Sequence, residues 1–156
     1  MNEDWLDFVV ELQRADVRYL VVGAHALGAH GVPRGTIDLD VWIDPTPENA
    51  DRLVRALAAF GAPLDDALGL SREDFEREDM VAQLGLHPRR IDVMTSVDGV
   101  DAFDPAWADR LVGPLGPLEG VAFIGRDAFV ANKRATGRPK DLVDLETLDS
   151  PGVGGA

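Results

Sequence analysis

The sequence predicts an α/β (α+β) domain in which a mixed β-sheet is flanked by helices, and three observations predict it. Trp5, Phe8, Val9 and Leu12 recur at helical spacing within residues 4–15. Residues 36–44 (TIDLDVWID) alternate with the period of a strand. Helical and strand signals then follow one another irregularly to residue 148, which suits a mixed sheet rather than a regular βαβ series.

The elements follow in order. Residues 4–15 predict an amphipathic helix. Residues 17–23 (VRYLVVG) read as a buried strand ending in glycine, and residues 25–30 as a short helix entered from it. Gly31-Val32-Pro33-Arg34-Gly35 has loop chemistry. After the alternating strand, Thr46 is a helix N-cap and Pro47 the first helical residue; Leu53, Leu57 and Phe60 continue that helix and Gly61 ends it. Residues 62–78 are acidic and irregular, with one helical turn after Ser71. Residues 80–86 and 90–97 read as two strands joined by the turn His87-Pro88-Arg89, and a short helix follows around residues 105–109. The Gly- and Pro-rich stretch 112–120 reads as a loop or hairpin before a strand at 121–125. Residues 126–136 form a helix stopped by Gly137, and Pro139 opens a last helix to about residue 148. One domain is expected over residues 1–149, with 150–156 a disordered tail.

Composition narrows the chemistry. The chain has 156 residues, 46% of them hydrophobic and 28% charged, which suits a globular domain with a real core. It has no cysteine, which excludes a disulfide framework, a thiolate nucleophile and a sulfur-bound zinc. Any metal must be held by oxygen ligands, with or without a histidine, and hard oxygen ligands favour magnesium, manganese or calcium. No run approaches the ~18 apolar residues of a membrane span. The N-terminus is acidic, without the basic start of a signal peptide, so a cytoplasmic protein with no membrane partner is expected. The net charge of −13 argues against broad, non-specific nucleic-acid binding and is equally what simple solubility would produce.

The carboxylates carry the functional signal. Asp38 and Asp40 stand two apart in a strand, so their side chains share a face, while Leu39, Val41 and Ile43 take the other. An isolated pair of this kind is often the solvated face of an edge strand. Asp92, however, is a lone acid inside the apolar run Arg90-Ile91-Asp92-Val93-Met94, and a neighbouring strand would set it beside Asp38 and Asp40. Three converging carboxylates can hold two divalent ions about 3.5–4 Å apart, the arrangement used for in-line phosphoryl or nucleotidyl transfer. Upstream, Val22-Gly23-Ala24-His25 is a strand–glycine–helix junction, either an ordinary turn or a place where a phosphate approaches the backbone.

These residues together resemble the DNA-polymerase-β-like nucleotidyltransferase superfamily. They are Gly23-Ala24-His25-Ala26, then Pro33-Arg34-Gly35-Thr36-Ile37-Asp38-Leu39-Asp40, then Arg90-Ile91-Asp92, with Lys133 and the run Lys140-Asp141-Leu142-Val143-Asp144 near the end. The nearest likeness is to small prokaryotic nucleotidyltransferase-like proteins related to abortive-infection and toxin–antitoxin nucleotidyltransferases, over about residues 17–148. Ala24 departs from the Ser or Gly of many active members and leaves only backbone N–H groups at that position.

The resemblance implies a nucleotidyltransferase fold and a specific activity. Asp38, Asp40 and Asp92 would be catalytic and would hold Mg2+ or Mn2+. A nucleoside monophosphate would pass from a nucleoside triphosphate to a hydroxyl acceptor (a small molecule, protein or RNA), releasing pyrophosphate. Gly23, Ala24, His25, Arg34, Thr36, Lys133 and Lys140 would be the nucleotide-binding residues. The second reading is a nucleotidyltransferase-fold partner of a cognate toxin or antitoxin protein, with weak or no catalysis. A metal-dependent phosphohydrolase ranks below both, because the histidine–acid ligand sets are missing.

Several of these residues also have a plain reading. Arg34 could pair with one of the many acids. Lys133, in the basic cluster with Arg134, Arg138 and Lys140, could simply be a helix-end cation; as a phosphate ligand its loss should leave the melting temperature unchanged. Asp141 and Asp144 should pair with Lys140, Arg138 or Lys133 rather than bind metal. Trp42 shares the carboxylate face and either stacks on a base or packs in the core. Trp5 and Trp107 read as core, and His87 as exposed.

Overall fold

A computed structural model describes residues 1–32, 35, 38–64, 69–86 and 89–149. The first helix, α1 (Glu3–Arg14), is capped by Asn2, whose side chain accepts a hydrogen bond from the Asp4 N–H at 2.8 Å, and it buries Trp5, Phe8, Val9 and Leu12. Strand β1 (Tyr19–Val22) is buried throughout and runs directly into α2 (Gly23–Ala29). Strand β2 (Leu39–Ile43) is followed by α3 (Pro47–Phe60), which has Thr46 as N-cap, Pro47 in its first turn and Gly61 at φ 99° as its stop. A 3-10 turn over Arg72–Glu76 precedes β3 (Val81–Leu84) and β4 (Ile91–Met94). Then come α4 (Phe103–Ala108), β5 (Leu111–Leu115), β6 (Leu118–Phe123), α5 (Arg126–Thr136) and α6 (Pro139–Asp149).

The strands form one six-stranded sheet in the order β3-β4-β2-β1-β6-β5. β2 pairs with β4, and β1 with β6, in parallel, while the pairs β1–β2, β3–β4 and β5–β6 are antiparallel. The sheet is therefore mixed and flanked by helices, as the sequence predicts. Leu39, Val41 and Ile43 of β2 are fully buried, with Ile91 and Val93 beside them on β4, and they belong to the same core as Phe8, Leu12, Leu53 and Leu57 of α1 and α3. Phe8 and Phe60 meet edge to face at 5.2 Å, tying α1 to α3.

Of the two forms expected for the stretch 112–120, loop or hairpin, it takes the hairpin. It is the β5–β6 hairpin, turned at Gly116 with φ 56°. Pro114 is accommodated because β5 lies at the sheet edge, and the pairing shifts register between Gly113 and Leu115. The tail 150–156 and His87 lie outside the described residues. Among the described residues no helix is long and apolar enough to cross a membrane.

Asn49 pins the edges of the site-bearing strands. It is 1% exposed. Its Oδ1 accepts from the Arg18 N–H at 2.8 Å, and its Nδ2 donates to the carbonyls of Arg18 at 3.0 Å and Asp44 at 2.9 Å. One amide thus joins the entry of β1, the exit of β2 and the first turn of α3. Asn49→Ala leaves the Arg18 N–H without its partner, while the carbonyls of Arg18 and Asp44 keep the N–H groups of Asp44 and Thr46. Urea unfolding should register a loss of about 1–3 kcal/mol, the range for stranding one buried hydrogen-bonding group.

Candidate functional site

Parallel pairing of β2 with β4 sets Asp40 directly opposite Asp92. Facing residues of adjacent strands project to the same side, so both carboxylates stand on one face, with Trp42 and Met94 one alternation further along. Asp38 lies two residues before Asp40, at the entrance to β2.

An arginine organises two of these acids. Arg90 Nε donates to Asp92 Oδ1 at 2.7 Å and Nη2 donates to Asp92 Oδ2 at 3.2 Å, a bidentate fork. The same Nη2 is 3.5 Å from Asp38 Oδ2, and the Arg90 backbone N–H donates to Asp38 Oδ1 at 3.2 Å. The three acids therefore share a face, and an arginine rather than a gap lies between two of them. Among the described residues no three His, Asp or Glu side chains form a group that could hold a metal ion. The physical reason is that the guanidinium takes the position between Asp38 and Asp92 that a bridging cation would need. The oxygen donor set fits a hard divalent ion in kind; its present arrangement fits one only if Arg90 releases its partners.

Asp40 stands outside that fork. Burial, then the charges of Asp92 and Asp38, push its carboxyl up to about 6, and the opposing charges of Lys133 and Arg90 do not cancel the rise. The chain reverses hard against it. Gly23 has φ 69°, and a Cβ there would lie 2.5 Å from Asp40 Oδ2, so no other residue fits this turn unless Asp40 moves. Gly23 and Asp40 line a cleft of about 390 Å³ together with Lys133 and Thr136 of α5, Arg138 between α5 and α6, and Asp79, Ser96 and Asp98 from the segments flanking β3 and β4.

The other expected nucleotide-binding residues divide. Ala24 and His25 line a separate groove of about 540 Å³ between α2 and β5. His25 packs edge-on against Trp5 at 4.9 Å, and its Nε2 is buried without a hydrogen-bond partner. Burial pushes its imidazole down, partly offset by a hydrogen bond to the Asp38 carbonyl. Arg34 and Thr36 lie outside the described residues. Lys140 is exposed on the first turn of α6. Trp42 is 2% exposed and packs edge to face on Phe103 at 5.0 Å, so it is core.

Lys133 lines the cleft but is already paired. It is 7% exposed, and its Nζ sits 3.3 Å from Asp141 Oδ1 and 3.6 Å from Asp144 Oδ2. Asp141 also accepts from Thr136 Oγ1 at 2.7 Å, from the Arg138 N–H at 3.1 Å and from Arg138 Nε at 2.7 Å. Burial alone would raise the Asp141 carboxyl; the Arg138 and Thr136 hydrogen bonds, with the Lys133 charge, outweigh it and hold the group below the ordinary carboxylate range. Asp141 and Asp144 thus pair with Arg138 and Lys133, as the sequence predicts.

Arg90 escapes a sequence reading that looks only for acids, yet its signal is present. It stands two residues before Asp92, and the spacing that aligns Asp38 with Asp40 aligns Arg90 with Asp92.

Two outcomes follow for stability. Asp40 binds its proton more tightly in the folded protein than in the unfolded chain, because its value of about 6 lies above the ordinary 3.8. Its contribution to stability is therefore most favourable below about pH 4 and is lost as pH rises through 6, at a cost on the order of 2–3 kcal/mol near pH 7.5. Asp40→Asn should be more stable than wild type by about that amount at pH 7.5, with the advantage roughly halved at pH 5, in paired urea titrations. Lys133→Ala leaves two buried carboxylates short of a partner, so its melting temperature should fall, with a loss of about 3 kcal/mol measured by denaturant.

A scan against protein-family models and a search of curated proteins both return no match to this chain.

Proposed function

We propose that the chain is a nucleotidyltransferase that moves a nucleoside monophosphate from a nucleoside triphosphate to a hydroxyl acceptor, using Mg2+ or Mn2+. The observation that supports this reading is the Asp40–Asp92 rung, two carboxylates facing each other on adjacent parallel strands, with Asp40 lining a cleft. Burying two like charges side by side is costly, and the cleft that Asp40 lines, about 390 Å³, is within the ordinary range for a small-molecule site.

The residues divide the work. Asp40 and Asp92, with Asp38, would hold the cation. A bound divalent ion supplies neutralisation of phosphate charge and activation of the acceptor hydroxyl. Gly23, lacking a side chain, keeps the backbone within reach of the Asp40 carboxylate. Lys133, fixed by Asp141 and Asp144, adds positive charge behind Asp40. Arg138, on the same cleft wall, is more than half exposed and presents a guanidinium to an incoming anion.

A second reading is favoured by one specific observation. Arg90 holds Asp38 and Asp92 as a cation would, which suits a nucleotidyltransferase-fold partner of a toxin or antitoxin with weak or no catalysis.

Incubation of the full chain with each α-labelled nucleoside triphosphate, cell extract and Mg2+ or Mn2+ should label an acceptor. Asp40→Asn should reduce that labelling about a hundredfold or more, equivalent to roughly 2.7 kcal/mol of barrier. A folded protein that transfers no label from any of the four nucleotides with either metal overturns the enzyme reading.

A further inference from the structure

Among the described residues, Arg90 is held between two of the three acids by both its side chain and its backbone. Its fork to Asp92 is 2.7 and 3.2 Å long, and the terminal nitrogen of that fork also faces Asp38 at 3.5 Å. Mg2+ and Mn2+ bind carboxylate oxygens at about 2.0–2.2 Å and need those lone pairs directed at the ion. A guanidinium donating into the same gap uses the same lone pairs. Metal and guanidinium cannot both bridge Asp38 and Asp92.

We propose that Arg90 is a displaceable counter-cation of the acid site: it closes Asp38 and Asp92 in the metal-free protein, and a divalent cation binds there by taking its place. This rests on the metal-binding reading above. Two features make exchange feasible. Arg90 lies just before β4 rather than within it, so its side chain can leave without breaking a strand pair. Its side chain keeps 23% of its surface exposed, which gives the released guanidinium a path to water.

The acid left outside the fork gives the exchange its direction. One guanidinium carries one positive charge against three carboxylates, and Asp40 gains only its distant field. A divalent ion brings two charges and can be reached by Asp40 as well as Asp92, their Cα atoms being register partners. Arg90 therefore sets the metal affinity: strong enough to hold the site together without metal, weak enough to yield to a doubly charged competitor.

Mn2+ titration followed by the paramagnetic signal of the free ion tests this on wild type, Arg90→Gln and Arg90→Lys. Arg90→Gln should bind Mn2+ about tenfold or more tightly than wild type, with Arg90→Lys in between, since lysine keeps the charge and loses the fork. A measurement on the wild-type protein covers a variant that fails to fold. Addition of diamagnetic Mg2+ should shift the Arg90 Nε–H resonance in a 15N spectrum and abolish its protection from exchange. Equal Mn2+ affinities in wild type and Arg90→Gln, or Mg2+ binding that leaves the Arg90 resonance in place, overturns the exchange and spares the metal reading. No Mn2+ binding by any of the three proteins at millimolar metal overturns both.

Discussion

Like-charge repulsion across one rung of a parallel ladder is the constraint on which the site depends. Asp40 faces Asp92 because β2 and β4 pair in that register, and the register is fixed by Leu39, Val41, Ile91 and Val93 on the opposite, buried face. A slip by one residue would drive those side chains out of the core. The carboxylates cannot move apart without that cost, so the surrounding chain supplies positive charge instead. Arg90 answers Asp92 and Asp38 through hydrogen bonds. Lys133 answers Asp40 only through its field, because its ammonium is spent on Asp141 and Asp144. Asp40 is left the least compensated of the three.

Much of this was readable in the sequence where a local rule decides the outcome. Thr46, Pro47 and Gly61 delimit α3 by cap chemistry alone, and Gly137 with Pro139 separates α5 from α6. The two-residue period placed Asp38 and Asp40 on one face, and a lone acid among Ile91, Val93 and Met94 pointed inward. What could not be read depends on contacts remote in sequence. Lys133 looks like a surface cation until Asp141 and Asp144 close over it. His25 and Ala24 follow Gly23 directly, yet the turn of α2 carries them to a different groove. The choice between loop and hairpin at 112–120 stays open in the sequence because Gly113 and Pro114 are poor strand formers, and an edge position tolerates them. Arg90 among the three acids is a contact of the same kind, a cation that the protein supplies from its own chain.

Gly23 and Asn49 hold the two ends of the β1–β2 pair to opposite tasks. At one end Asn49 closes three backbone groups and makes the pair rigid. At the other, Gly23 occupies a left-handed turn whose missing Cβ is filled by the Asp40 carboxylate. Rigidity at the first end lets the second tolerate a backbone conformation and a charge that a softer frame would relax away.

The β2–β4 pairing also governs when the site comes into being. The Arg90–Asp38 hydrogen bond spans 52 residues of chain, and the whole of α3, the 3-10 turn and β3 lie within that span. Contacts of such separation close late in folding, after nearby helices and hairpins have formed, because the intervening chain must first give up its freedom. Until then Asp40 and Asp92 are distant and solvated, and their repulsion opposes nothing. The electrostatic burden of the acid rung thus arises only when β4 pairs with β2 and is carried by the folded state alone.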